Sequence, residues 1–327
     1  MPLPRIPQDA LRRGMLFLLD IGVPFCVGVV LNQPAGALLG CVSGLLLSFA
    51  DIEGPLGRRL IILYMVAGGM ALGGGAGVLL RGFPPTVWVL FAAATFASGW
   101  LIGVGKGPML AARFGAMALV VTSGAPDISI AELAYVAIAL ATVTVVRSAD
   151  HAWAGPLPQQ RGFPRRVPSG GWLRFALAYA AAATLSLWIG VTLDPSRVLW
   201  VVVTTLVVMQ PDARTSYVLI VHRVAGTVIG VAAAFAMTSL VRPVWALVVA
   251  VLAIAALVPH HLFHRYWLHT ALIVLLILLA YDLAAADLRI LRGLFTERLQ
   301  DVLLGSGLAL IGTIVAFPRQ APGDEPE

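Results

Sequence analysis

The chain has 327 residues, of which 59% are hydrophobic and 12% are charged, and its formal net charge is +6. Soluble domains carry about 25% charged residues, so this composition excludes an ordinary soluble domain. The basic residues are not clustered with aromatic residues, which excludes a nucleic-acid-binding surface. Apolar runs of bilayer length recur throughout the chain, and they predict an all-α integral membrane protein.

Twelve apolar runs predict twelve transmembrane helices, because a helix needs about 20 apolar residues to cross a hydrocarbon core about 30 Å thick. The first run follows Arg12 and Arg13, contains Asp20 and lacks a cleavage signature. It is therefore predicted to be a retained helix and not a signal peptide. The predicted segments are 15–31, 35–50, 59–80, 85–104, 108–124, 129–147, 172–191, 198–210, 215–240, 243–259, 266–281 and 294–317.

A segment rich in Pro, Gly and Arg, His151–Gly170, divides the chain into two halves of six helices. Six is even, so both halves have the same orientation, and we expect parallel repeats related by an axis along the membrane normal. The stretch Val66–Gly74 resembles Val224–Ala232, and the second segment of each half is short. The predicted units are a first half at 1–150, a cytoplasmic linker at 151–170, a second half at 171–319 and a cytoplasmic tail at 320–327.

The positions of lysine and arginine predict the orientation, because cytoplasmic loops of membrane proteins are enriched in these residues. With a cytoplasmic N-terminus, only six of the 22 basic residues fall on the opposite side. Those six are Arg81, Arg197, Arg242, Arg289, Arg292 and Arg298. Both termini are therefore predicted to be cytoplasmic.

Four ionisable residues lie in the otherwise apolar stretch QPDARTSYVLIVHRVAGTVIG, residues Gln210–Gly230. A charge inside the bilayer costs about 2.5–3.5 kcal/mol, so it usually faces a partner or a cavity. Arg223 is a candidate for binding an anionic substrate, and the alternative is that it reaches the membrane interface. Asp212, Arg214 and His222 are further substrate-binding candidates. Asp212 is also a natural N-cap, and a packed imidazole is the alternative for His222.

The start of the last predicted helix carries a second group of charges, Glu297, Arg298 and Asp301. Arg298 is a candidate for binding the substrate. Glu297 and Asp301 are four residues apart and share a helix face, so they are candidates for proton coupling, with an ion pair to Arg298 as the alternative. Asp20 is a third proton-coupling candidate, because burial in an apolar helix favours a protonated carboxyl group.

Two motifs carry a family resemblance. The region from Trp200 through VMQPDARTSY and HRVAGTVIGV has a Pro-containing loop after a short helix, followed by an Arg, a small residue and two Gly. The last helix, FTERLQDVLLGSGLALIGTIVAFP, begins near an Arg and ends at a Pro. This pattern resembles the fusaric acid resistance family, in the aromatic acid exporter superfamily of bacterial inner membranes.

The resemblance implies a multi-pass inner-membrane protein that exports small organic anions, with a periplasmic adaptor as a partner. The superfamily fold is similar to that of the plant malate channels. Typical exporters of this family carry a soluble cytoplasmic domain after each six-helix half, whereas this chain has only the short linker and tail. Without those soluble domains, the chain departs from the family in the part expected to dock partners and to support export.

Three functions are compatible with the sequence. The first is proton-driven efflux of small organic or aromatic acids, the second is a passive anion channel on the same fold, and the third is a structural or regulatory membrane subunit. No enzymatic motif is found, and we expect no cofactor and no metal. The main metal alternative is the group His260, His261, His264 and His269, which is better explained as an interfacial turn. Dimerisation of whole chains is compatible with the sequence.

Overall fold

Long apolar runs fold into helices because a helix satisfies its backbone hydrogen bonds within its own segment. The computed structural model describes residues 8–52, 54–124, 132–156, 171–193, 198–241, 243–261, 265–284 and 288–317. Within these ranges there are twelve α-helices and no strand, which confirms the prediction of an all-α chain. Residues 157–170 of the predicted linker and residues 318–327, which include the predicted tail, lie outside the described ranges.

The helices follow the predicted segments in order. They are α1 (Gln8–Val30), α2 (Pro34–Ala50), α3 (Leu56–Leu79), α4 (Pro84–Leu101), α5 (Lys106–Gly124), α6 (Ala134–Ala154), α7 (Trp172–Leu193), α8 (Val198–Val208), α9 (Ala213–Leu240), α10 (Val244–Leu257), α11 (Tyr266–Ala284) and α12 (Leu288–Ala316). A short 3-10 turn at Val258–His261 follows α10.

Several helix ends differ from the prediction by a few residues, among them the start of α1 at Gln8 and of α12 at Leu288, and two of the differences have a clear physical reason. Helix α9 begins at Ala213 because the side chain of Asp212 caps it: the Thr215 amide donates to Asp212 Oδ2 at 2.6 Å. Helix α6 continues beyond its predicted end at Arg147, because the charged side chains in its last turns are ion-paired inside the protein. Apolarity alone therefore underestimates the length of a helix with paired charges.

Within the part of the chain that the structure describes, six helices are each long and apolar enough to cross a membrane. Large apolar side chains are also exposed on the outside of the bundle, including Leu72 at 78%, Leu240 at 81% and Trp245 at 71%. Such a surface fits a hydrocarbon environment better than water. The six candidate spans are Ala10–Val30, Leu56–Leu79, Trp172–Leu193, Ala213–Leu240, Tyr266–Leu283 and Glu297–Ala316.

The two groups of six helices interlock. Helix α4 packs against α7, and α1 packs against α10. One apolar core joins residues of α2 through α9 with α12, and a second joins α1 and α2 with α9, α10 and α11. Because each core takes residues from both groups, the first six helices do not form a separate unit.

Glycines allow the closest helix contacts, because the absence of a side chain lets two backbones approach each other. A Cβ at Gly230 of α9 would lie 2.6 Å from the Ala271 carbonyl oxygen of α11. Gly226, one turn earlier, would meet the Trp267 carbonyl oxygen in the same way. Helices α3 and α5 make an equivalent contact, in which Gly69 faces the Ala111 carbonyl oxygen.

We predict that Gly69→Val lowers the free energy of unfolding by about 2 kcal/mol or more, because the added side chain must separate α3 from α5. Gly68→Val is the matched control, since a Cβ at Gly68 meets no atom within 4 Å. Thermal unfolding of the purified protein in detergent measures both variants. Equal melting temperatures for the two would contradict the close contact.

Candidate functional site

A network of six charged side chains ties the first helices together. Arg59 of α3 donates from Nε to Asp51 Oδ1 at 3.0 Å and from Nη2 to Asp51 Oδ2 at 2.8 Å. Its third nitrogen, Nη1, lies 3.3 Å from Asp150 Oδ2 on α6. Arg12 of α1 grips the same Asp150 in two places, Nε to Oδ1 at 2.6 Å and Nη2 to Oδ2 at 2.9 Å.

Arg147 of α6 joins the other end of this network. Its Nη2 lies 2.5 Å from Asp20 Oδ2, and its Nε lies 2.6 Å from Asp51 Oδ2. The Nε contact is an ion pair without hydrogen-bond alignment. Ser48 of α2 also donates to Asp20 Oδ2, at 2.8 Å. Asp20, a predicted proton-coupling residue, is therefore completely buried and held by two partners.

Aspartates and arginines alternate along the network, three of each, so the group is electrically neutral. Neutrality matters because an isolated buried charge costs several kcal/mol. Asp51 lies in the loop between α2 and α3. Burial raises the pKa of Asp51, but attraction to Arg147 and hydrogen bonds from Arg59 lower it further, so the pKa lies below its usual value of 3.8. The Asp51 carboxyl group is therefore held in its ionised form.

We predict that Arg59→Ala destabilises the protein by about 3–5 kcal/mol, because it leaves the buried Asp51 carboxylate without its bidentate partner. The neighbouring Arg58 is exposed, so Arg58→Ala should change the free energy of unfolding by about 0.5 kcal/mol or less. Thermal unfolding in detergent compares the two variants. A cost for Arg58→Ala as large as that for Arg59→Ala would contradict a specific role for the network.

A second group of charges lies among the last helices, and its two arginines keep guanidinium nitrogens without hydrogen-bond partners among the described residues. Arg223 of α9 is 6% exposed and lies within hydrogen-bonding reach of the Tyr266 hydroxyl on α11. Its Nε has no hydrogen-bond partner among the described residues. Arg223 lies ten residues into α9, about 15 Å along the helix axis. Its partner Tyr266 is the first residue of α11, so the Arg223 guanidinium is buried beside the start of that helix.

Arg298 of α12 is near the same place. It is 4% exposed, and its guanidinium lies over the ring of Trp200 on α8. Its Nε and Nη1 have no hydrogen-bond partner among the described residues. The Arg298 charge is close enough to Arg223 for mutual repulsion and close enough to Asp301 for attraction. Both buried guanidinium groups thus keep donors without partners, and their like charges repel each other.

The other predicted site residues are placed around this pair. Asp301 of α12 is buried, and Glu297 is half-buried one turn earlier. His222 is half-buried, with its ring centroid 6.4 Å from that of Tyr266. Asp212 caps α9, and Arg214 is exposed in the first turn of α9. The structure therefore brings Arg223, Arg298 and Asp301 together at the centre of the group and places Asp212 and Arg214 at the helix end.

Sequence reasoning missed the aromatic side chains around the two arginines. Tyr266 and Trp200 come from α11 and α8, which are distant in sequence from each other and from the arginines. Tyr281 of α11 also lies near the Arg298 charge. The only sequence signal is that each aromatic residue stands near the end of an apolar run, which is equally typical of membrane-interface aromatic residues.

The arrangement can bind an anion. Guanidinium groups donate up to five hydrogen bonds and cannot lose their charge in a protein. Within the described residues, no group of three or more His, Cys, Asp or Glu side chains could hold a metal ion. The chemistry available in this part of the chain is therefore attraction and hydrogen bonding to an anion, next to aromatic rings.

The apolar helices and their exposed apolar surface define the chain as a multi-pass membrane protein. Residues 178–312 match the family described as fusaric acid resistance protein-like. This match supports assignment of the chain to that family and confirms the resemblance found in the signature residues. The matched region contains both Arg223 and Arg298. Comparison with curated proteins and with solved structures gave no match.

Proposed function

We propose that the protein is a bacterial inner-membrane secondary transporter that exports small organic acids, aromatic acids in particular. The observation that carries the proposal is the pair Arg223 and Arg298, both buried and both with unpartnered guanidinium nitrogens. A buried charge whose donors lack partners is costly, and an anion that is present for part of the cycle offsets that cost. A membrane protein related to transport has a use for such a transient partner.

The surroundings favour an aromatic carboxylate as that anion. A carboxylate gains more from a buried guanidinium than from one in water, because the local dielectric is lower. The Trp200 ring lies against the Arg298 guanidinium, and Tyr266 lies within hydrogen-bonding reach of Arg223. Aromatic side chains therefore border both arginines, and such surroundings favour a ligand that carries an aromatic ring. An aromatic acid thus presents one group to the arginines and another to the rings.

The proposed architecture is twelve transmembrane helices in two parallel six-helix repeats. Helix contacts support it, because the packing of α1 on α2, α3 on α5 and α2 on α6 recurs as α7 on α8, α9 on α11 and α8 on α12. The contact of α4 with α7 likewise recurs as α10 with α1. Two halves related by a two-fold axis would produce this recurrence.

Proton coupling is proposed for Asp301, which is buried on α12 three residues from Arg298, with Glu297 on the same face. Protonation of Asp301 would change the net charge beside the substrate. Asp20 could serve only if its contacts with Arg147 and Ser48 were released in each cycle. Because Asp20 is held by Arg147 and Ser48, it is poorly placed to carry a proton. This favours a passive anion channel on the same fold as the second candidate function, since a channel needs no proton carrier.

The test of the proposal is uptake of labelled benzoate into proteoliposomes. We expect Arg223→Ala to reduce flux by about tenfold or more, because one charge-assisted hydrogen-bonding partner contributes about 1.5–3 kcal/mol. Arg223→Lys should reduce flux less, since it keeps the charge but loses the guanidinium geometry. A proton gradient should accelerate flux in a transporter and leave a channel unchanged.

The control is Arg265→Ala, in which an exposed arginine just before α11 is removed. Its flux should equal that of the unmodified protein. If Arg223→Ala moves benzoate at the unmodified rate, Arg223 is an interface anchor and the transport site lies elsewhere. If no organic acid moves in any variant, the structural or regulatory subunit becomes the better interpretation.

The proposed orientation has both termini in the cytoplasm, with the lipid bilayer and a small organic anion as partners. A periplasmic adaptor and a homodimer are further proposed partners. We predict that a cysteine at the exposed Trp153, in an otherwise cysteine-free chain, resists labelling from outside intact cells. A cysteine at the exposed Phe83, between α3 and α4, should be labelled. The reverse pattern would overturn the orientation.

A further inference from the structure

A further buried arginine, Arg113 of α5, lies apart from the two groups already described. Arg113 is 6% exposed, and its guanidinium carbon lies 5.4 Å from the ring centroid of Tyr179 on α7. Its Nε and Nη2 atoms are buried and have no hydrogen-bond partner among the described residues. No carboxylate described in the structure forms an ion pair with it, unlike the arginines of the network.

The two unpartnered atoms belong to the same edge of the guanidinium group. Nε and Nη2 point in one direction as a fork, and such a fork matches the two oxygens of a carboxylate. This protein uses that edge twice. Arg12 binds both oxygens of Asp150 through Nε and Nη2, and Arg59 binds both oxygens of Asp51 through the same two atoms. In Arg113 the equivalent edge is buried and lacks a carboxylate.

Polar groups beside Arg113 complete a site of the same character. The Tyr179 hydroxyl donates to the Leu206 carbonyl oxygen of α8 at 2.8 Å, and both Arg113 and Ser98 of α4 adjoin it. The Ser98 hydroxyl is fully buried and has no geometrically aligned hydrogen-bond partner among the described residues. Two helices of the first group and two of the second therefore meet around Arg113. Helix α5 carries Arg113, α4 packs on α5 and α7, and α8 packs on α7 and α5.

We propose that Arg113 binds the carboxylate of a small organic acid through its Nε and Nη2 edge, between α4, α5, α7 and α8. The ligand completes for Arg113 the bidentate pair that Asp51 completes for Arg59. The choice of an organic acid rests on the proposed function, while the choice of an oxyanion rests on the two unpartnered donors of Arg113.

This site is distinct from the pair Arg223 and Arg298. Helix α8 touches both places, through Trp200 at the first and through the Leu206 carbonyl at the second. Residues six apart on a helix are about 9 Å apart along its axis and about 120° apart around it. The chain thus holds an anion at two positions, and binding at several sites is a way to combine entry with release along a path.

The test is the number of labelled benzoate molecules bound per chain in detergent, after removal of lipid. The unmodified protein should bind two, Arg113→Gln should bind one, and the double variant Arg223→Gln/Arg298→Gln should also bind one. Arg113→Lys should bind the second benzoate at least tenfold more weakly, since it lacks the fork. Neutral benzamide should not compete at the Arg113 site, whereas sulfate should.

The outcomes separate the two sites. Two benzoates bound to Arg113→Gln would overturn the second site and leave the first. If the unmodified chain binds one benzoate and only the double variant loses it, the Arg113 site is wrong. If only Arg113→Gln loses that single benzoate, the site at Arg223 and Arg298 is wrong. No binding by the unmodified chain would overturn both. A phospholipid that co-purifies with the unmodified chain and not with Arg113→Gln would identify a lipid phosphate and overturn the organic acid.

Folding of the key variant is checked separately. Arg113→Gln removes an unpaired buried charge, so its thermal stability without ligand should equal or exceed that of the unmodified protein. Arg59→Gln breaks a complete bidentate pair and should lower stability without changing the number of benzoates bound. If Arg113→Gln unfolds as readily as Arg59→Gln, Arg113 has an internal partner and the proposed site is wrong.

Discussion

The cost of burying a charge in an apolar bundle organises the whole structure. An isolated ion inside a protein costs several kcal/mol, whereas an ion with a well-aligned partner costs far less. The buried arginines fall into two sets on this basis. Arg59 and Arg147 have aspartates at ion-pair distance, whereas Arg113, Arg223 and Arg298 keep guanidinium nitrogens without partners among the described residues. The first set stabilises the fold, and the second has donors to spare for a ligand.

The compensated charges explain how the first helices are held. Glycine contacts bring α1 close to α2 and α3 close to α5, but packing in lipid has little hydrophobic driving force of its own. Ion pairs supply the missing specificity, because Asp20, Asp51 and Asp150 connect α1, α3 and α6 at defined atoms. The same interactions let α6 extend beyond its apolar run. In this half of the chain, the arrangement of the helices therefore depends on the pairing of their buried charges.

The uncompensated charges share a second feature, which is contact with aromatic side chains. Arg113 lies over Tyr179, Arg298 lies over Trp200, and Arg223 adjoins Tyr266. For Arg113 and Arg298 the contact is with the ring face, which attracts a cation by about 0.5–2 kcal/mol and offsets part of the burial cost. For Arg223 the contact is with the Tyr266 hydroxyl. A guanidinium group held in this way stays ordered in the absence of ligand and keeps its polar edge for an anion.

Two of these three arginines could be predicted from sequence. Arg223 and Arg298 stand out because they lie beside other charges in apolar runs and because the family signature includes their surroundings. Arg113 lies in a run that is equally apolar, yet nothing in its neighbourhood distinguishes it from a basic residue that sets topology. Its significance depends on Tyr179 and Ser98, which belong to other helices. Conversely, Asp20 was singled out as a lone buried carboxylate, and only the fold reveals that Arg147, on the sixth helix, is its partner.

Composition and apolar periodicity alone determined that this chain is an all-helical membrane protein, because the bilayer admits little else for such a sequence. They also determined the order and approximate ends of its helices, since length and apolarity are local properties. The tertiary structure decided which charges are neutralised and which are not. That distinction rests on distances of about 3 Å between side chains on different helices, and no local pattern encodes which helices will meet.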